Sequence, residues 1–294
     1  MLRKTCVALF LAVLTAVAAL GQEQSNYLDV YVARVKPEKR AEFDAIEKKI
    51  AEASRRHRGD TWVAMETLYG EQNTISFIST RRNYAEVESS FATFEGALDK
   101  AFGAAGAAKL LQDLNNTLIG VRAEVRRRRW DLSYNAPADA AAYAQVVGKM
   151  RWLRSIVIRV RPGHAAEFEA LLKDINAASQ KNNQPGMRWV SVVADGGNPN
   201  VYYIARLLTS LGELDQGMAL PEMLGEEGFQ KFQKVSAESV AGVEFTISRI
   251  LPELSNPPET IAAVAPDFWN PKPKAAAKPK AKAAENKAPS TEQP

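Results

Sequence analysis

Apolar and polar positions alternate along this chain in two rhythms, and their succession predicts an ordered series of elements. Residues 28 to 35 are β-branched or apolar on both faces of an extended segment, which suits a strand covered on each side. Pro37 then opens a helix whose inward stripe is Phe43, Ile46, Ile50 and Ala53, spaced at a helical period. Residues 62 to 69 and 74 to 80 read as strands joined through Gly70-Glu71-Gln72-Asn73, the composition of a hairpin turn. Tyr84, Val87, Phe91, Phe94, Leu98 and Phe102 predict a second amphipathic helix, and residues 118 to 125 a last strand.

The whole series then recurs. Val-Tyr-Val-Ala-Arg-Val-Lys-Pro-Glu-Lys-Arg-Ala-Glu-Phe-Asp-Ala (30 to 45) aligns with Ser-Ile-Val-Ile-Arg-Val-Arg-Pro-Gly-His-Ala-Ala-Glu-Phe-Glu-Ala (155 to 170) at a constant offset of 125. With small shifts Trp62-Val63 meets Trp189-Val190, Phe77-Ile78 meets Tyr203-Ile204, and Gly120-Val121 meets Gly242-Val243. The second helical stripe is Phe168, Leu171, Leu172, Ile175 and Ala178. A hairpin joins 188–194 to 201–206, and a final strand covers 241–250. Two repeats, 22–133 and 152–255, are therefore expected, with a connector at 134–151 that is helical after Pro137.

The order β-α-β-β-α-β is the ferredoxin-like pattern, in which both helices cover one face of a four-stranded antiparallel sheet and the other face needs a cover. Tandem copies can supply it to each other. This arrangement, with the Arg-Val-Arg-Pro-Gly-His-Ala-Ala-Glu-Phe-Glu-Ala opening (159 to 170), resembles the dimeric α/β-barrel superfamily of antibiotic-biosynthesis-type monooxygenases, EthD-like proteins and several haem-linked enzymes. The resemblance implies an α+β fold: two ferredoxin-like βαββαβ repeats whose antiparallel sheets pack together as an intramolecular dimeric α/β barrel. It implies a monomer, since the repeats pair within one chain.

The two ends change the picture of where such a protein works. Arg3 and Lys4, an apolar run from Val7 to Leu20 and a small-residue exit predict a signal peptide over residues 1–21 and an exported protein, periplasmic or secreted. A retained anchor is the alternative, although the run is short for a bilayer. The lone cysteine, Cys6, precedes the run, so cleavage leaves no thiol for disulfide formation. Residues 256–294, rich in Pro, Ala and Lys, read as a disordered tail. From residue 271 onward six lysines stand against two glutamates, and with the leader's two cations this exceeds the chain's net charge of +4, so residues 22 to 270 are slightly acidic. That excludes a global basic footprint for nucleic acid and leaves the tail as a candidate contact for an anionic envelope polymer. No segment after the leader reads as a membrane span.

Chemistry is less plainly written. No phosphate loop, Gly-x-Ser-x-Gly, Cys-x-x-Cys or His-Glu-x-x-His occurs, and no metal site or cofactor is expected. His57 sits among basic residues at a helix end, where the dipole accounts for it, and His164 falls in a first helical turn at a solvated position. In the last strands Ile119, Val121, Ala123 and Val125 alternate with Gly120, Arg122, Glu124 and Arg126; Val243, Phe245 and Ile247 alternate with Gly242, Glu244, Thr246 and Ser248. The apolar side suits the helices and the polar side a barrel lumen. With the last strand beside the first, Arg34 and Arg159 stand near Glu124 and Glu244, either as cross-strand ion pairs or as charges orienting a small acidic or phenolic ligand among Trp62, Trp189, Tyr202 and Tyr203. The run Arg126 to Arg129 reads as a solvated sheet edge. The leading functional expectation is an exported, non-catalytic barrel binding a small molecule. The alternatives are a cofactor-independent monooxygenase acting on a small aromatic, with Trp62 and Trp189 as its lumen residues, and an envelope protein acting through its tail.

Overall fold

The computed structural model describes residues 26 to 271, so the expected leader and the Lys-rich stretch from 272 onward lie outside the described residues. The first copy contains β1 (Tyr27–Val35), α1 (Arg40–His57), β2 (Val63–Tyr69), β3 (Thr74–Arg81), α2 (Tyr84–Asn116) and β4 (Leu118–Arg128). A connector helix α3 (Ala140–Lys149) follows, started by Asp139, whose side chain accepts from the Ala142 amide. The second copy repeats the order as β5 (Trp152–Val160), α4 (Ala165–Lys181), β6 (Trp189–Asp195), β7 (Val201–Leu208), α5 (Leu220–Ser239) and β8 (Val240–Ile250). Two short helices, α6 (Glu259–Ala262) and α7 (Pro266–Trp269), end the described chain. Among the described residues no helix is long and apolar enough to cross a membrane.

The eight strands form one closed barrel in the spatial order β1-β3-β2-β8-β5-β7-β6-β4. Each copy contributes a four-stranded antiparallel sheet, and the sheets join edge to edge through β2–β8 and β4–β6. The tandem α/β barrel is thus closed by two backbone seams, which removes every free sheet edge. At each seam a hairpin glycine presses on the other copy's last strand. A Cβ on Gly70 (φ +129°) would stand 2.9 Å from Thr246, and one on Gly196 (φ +81°) 2.4 Å from the Ala123 carbonyl oxygen.

Outside the barrel, the α1 stripe of Phe43, Ile46 and Ile50 packs on Ala33, Val35, Ala64 and Ile75, and in the second copy Phe168 and Leu172 pack on Ile158, Val160, Val190 and Ile204. Four expectations need correction. The apolar side of the last strands is not under the helices: Ile119 (55%), Val121 (53%), Val243 (45%) and Phe245 (57%) are exposed, because the helical stripes cover the other strands of each sheet. On α2 only Phe94 and Leu98 of the expected stripe join the core, while Tyr84, Phe91 and Phe102 are exposed and the helix breaks at Gly103. The arginine run is not a sheet edge, since β4 pairs with β1 on one side and β6 on the other, and Arg126 and Arg128 are buried.

The fourth correction concerns the expected tail, whose first part, residues 256 to 271, is folded. Trp269 is fully buried and its indole donates to the Gly148 carbonyl at 2.9 Å, while Ile261 packs beside Val147. Arg151 lies 3.7 Å over the Phe268 ring. Together α3, α6 and α7 plug one end of the barrel.

Candidate functional site

At the opposite end the barrel is open. Lumen-facing side chains border a cavity of about 980 Å³ that reaches the hairpin tips at Glu71 and Asn198. Strand parity supplies them: Val30, Val32 and Arg34 from β1; Thr67 from β2; Ser76 and Ile78 from β3; Arg122, Glu124 and Arg126 from β4; Glu244, Thr246 and Ser248 from β8. The charged groups on this wall are four arginines (Arg34, Arg122, Arg126 and Arg159) and three glutamates (Glu71, Glu124 and Glu244), so the lumen carries an excess positive charge.

These charges are unequally placed. Arg159 pairs with Glu244 at 2.6 Å, and both are about half exposed at the mouth. Arg34 pairs with Glu71 of the hairpin at 2.7 Å rather than with Glu124. Glu124 is buried deeper, 3% exposed, and accepts from Arg126. The Arg126 guanidinium in turn lies flat on the Tyr203 ring, 3.4 Å from its centroid. Burial pushes the Tyr203 phenol above its ordinary pKa, partly offset by Arg126. Arg122 stays over half exposed, 3.8 Å from the second Glu124 oxygen, and is the most loosely held cation of this wall.

Of the nine residues singled out from the sequence, Arg34, Arg122, Glu124, Arg159, Tyr203 and Glu244 border this cavity. Trp62, Trp189 and Tyr202 do not. Tyr202 points outward under α4, donates to Glu169 at 2.7 Å and has its pKa pushed up to about 12 by burial and by that carboxylate. Trp62 faces the first helix layer, edge-on to Phe94, with its indole donating to the Leu254 carbonyl at 2.7 Å. Trp189 sits at the plugged end, stacked on Tyr143.

The two tryptophans are not counterparts. Val63 faces Ile78 across its hairpin and Ile78 faces Val30; Trp189 faces Ala205 and Ala205 faces Ser155, so the barrel equates Val63 with Trp189 and Ser76 with Tyr203. A one-residue offset in the visual alignment reverses the face of every side chain in the hairpin.

The sequence reading missed Arg128 and Tyr143 as interior groups, and gave Arg126 both to the lumen face and to a solvated edge. Parity could have settled both arginines, because 126 and 128 follow Arg122 and Glu124 on the same face of β4. His57 and His164 lie at the ends of α1 and α4, and among the described residues no cluster of His, Cys, Asp or Glu could hold a metal ion.

Residues 154 to 215, most of the second copy, match the family model of the antibiotic biosynthesis monooxygenase domain. Among solved structures the chain is similar to an anthrone oxidase-like protein (TM-score 0.50, 13% identity, 79% of this chain and 94% of that one). It is also similar to a candidate monooxygenase from Fusobacterium nucleatum (0.49, 12%, 77% and 93%) and to a chlorite dismutase variant from Candidatus Nitrospira defluvii (0.45, 10%, 82% and 95%). A comparison with curated proteins gave no match. The fold is the dimeric α/β barrel, carried here as a tandem ferredoxin-like pair in one chain.

Proposed function

We propose that this protein is an exported barrel that binds a small anionic molecule in its open lumen. The observation that carries the reading is the unequal charge of the cavity. Glu124 already holds Arg126, and the mouth pairs hold Arg34 and Arg159, which leaves Arg122 as a cation over half exposed beside an aromatic surface at Tyr203. An anion entering from the mouth gains a charge-assisted contact there at the expense of no more than the loose 3.8 Å contact with Glu124, whose closer partner is Arg126. The roomy cavity suits an aromatic or similarly sized acid.

A second reading is favoured by one observation, the match of residues 154 to 215 to the monooxygenase domain model. In that reading the same polar wall holds an electron-rich aromatic as its anion for reaction with oxygen. Screening aromatic acids and phenols against the protein, with and without residues 272 to 294, separates the readings. Retained affinity without turnover supports binding, oxygen consumption with substrate loss supports the enzyme, and loss of all retention on cell-wall polymers upon truncation supports a role for the tail. Absence of any saturable ligand in the lumen overturns both lumen readings.

A further inference from the structure

At the plugged end a second, narrower cavity of about 90 Å³ lies beneath α3 and α6, separated from the open lumen by Met65, Ile78 and Leu153, which border both. Its walls are apolar and aromatic, with Trp189, Tyr143, Val147 and Met150 on the plug side. One charged side chain enters it. Arg128 is 9% exposed, and among the described residues no carboxylate lies within ion-pair reach of it. Its Nη2 donates to the Tyr143 hydroxyl at 2.8 Å, while its buried Nε has no hydrogen-bond partner. The guanidinium is flanked by the rings of Trp130 (4.8 Å), Tyr143 (4.9 Å) and Trp189 (6.0 Å).

A buried cation without a counter-charge is costly, and aromatic faces offset only part of that cost. The neighbouring arginines show the usual solution: Arg126 has Glu124, and Arg129 has Asp131 and Glu169. Arg128 instead has an apolar cavity in front of it. The second copy carries Ile250 at the equivalent strand position, so the barrel closes there without any charge. A barrel wall that needs no cation yet holds one, aimed into apolar space, is the arrangement of a recognition group.

We infer that this cavity is a distinct binding site for a compact apolar monocarboxylate of about benzoate or isobutyrate size, with Arg128 as its counter-charge. Roughly 150 Å³ holds a benzene ring in an apolar protein cavity, so a space of about 90 Å³ favours the smaller acid, and benzoate enters only as the walls give way. The carboxylate neutralises the guanidinium, and the hydrocarbon part lies against Trp189, Met150 and Val147. The site does not depend on the lumen reading, because it shares neither Arg122 nor Glu124.

The test is titration of the purified protein with benzoate and isobutyrate, followed by tryptophan fluorescence and by the Trp189 indole resonance. Saturable binding is expected, at least tenfold tighter for benzoate than for benzyl alcohol. Arg128→Met should lose at least tenfold in affinity, Val147→Phe, which fills the space from α3 and leaves Arg128 in place, should block binding, and Arg122→Gln should change nothing. The inference is overturned if neither acid binds the wild type saturably, if benzoate and benzyl alcohol bind equally, or if Val147→Phe retains full affinity. Those comparisons decide the matter even where Arg128→Met fails to fold.

Discussion

The last strands of the two copies, β4 and β8, occupy equivalent places in the barrel and differ in charge on one face only. Gly120 and Val121 have Gly242 and Val243 as counterparts. On the interior face, Arg122, Glu124, Arg126 and Arg128 stand opposite Glu244, Thr246, Ser248 and Ile250. The framework needs the same backbone twice but not the buried charge of β4, since β8 carries one interior charge, Glu244, and that at the exposed mouth. The interior polarity of β4 is therefore an addition to the fold, and both candidate sites lie along it.

The largest effect should come from the cover that turns this strand pair into a closed interior. Trp269→Ala removes a fully buried side chain and its hydrogen bond to Gly148, and should cost about 3–5 kcal/mol, a fall in Tm of roughly 10 °C by calorimetry. Next is the buried pair. Glu124→Gln leaves Arg126 buried without its charge partner and should cost about 3 kcal/mol in urea unfolding. The double variant Glu124→Thr with Arg126→Ser writes the β8 residues into β4 and should recover most of that loss; failure to recover it would mean the charges are part of the fold after all.

The buried stripes of the two first helices also differ in charge at one position. Glu47 occupies the place of Leu172 in the stripe, is 6% exposed, and burial pushes its carboxyl up to about 8. Because the folded value lies above the ordinary 4.5, the neutral acid is the form the fold tolerates. No penalty exists below about pH 4.5; the penalty grows as pH rises and is complete above about 8. Glu47→Leu should thus stabilise by up to about 3 kcal/mol at pH 7 and by almost nothing at pH 4.5, in paired thermal melts. The smallest effect belongs to the mouth. Arg159→Ala breaks an ion pair whose members are both about half exposed and should change stability by less than about 0.5 kcal/mol.

The sequence disclosed the duplication and the element order, because hydrophobic period and turn composition are local signals that occur twice, and the barrel followed from the family resemblance of those repeats. Strand parity likewise put Arg122, Glu124 and Glu244 on an interior face. Pairing across the seams is not local, so nothing showed that β4 is flanked on both sides; within the first copy, nothing marked the hairpin residue Glu71 as the partner of Arg34. The hairpins were aligned on their tryptophans, one residue out of register, which made Trp62 the counterpart of Trp189; Tyr202 was grouped with Tyr203 although neighbouring strand residues face opposite sides. The folded stretch from 256 to 271 was hidden by its Pro-rich composition, although Ile261, Phe268 and Trp269 are apolar anchors that the Lys-rich remainder lacks. Glu47 was visible in principle, since the repeat alignment sets it against Leu172.

The central claim is that the β4 wall, and not its β8 counterpart, holds a ligand in the open lumen. Its most direct test is the affinity of 2-naphthoate, an aromatic anion too large for the narrow cavity, measured by calorimetric titration for wild type, Arg122→Gln and Thr246→Val. The account predicts saturable binding to the wild type, at least a tenfold loss in Arg122→Gln and no change in Thr246→Val. No saturable binding to the wild type, or equal affinity in all three proteins, would contradict it.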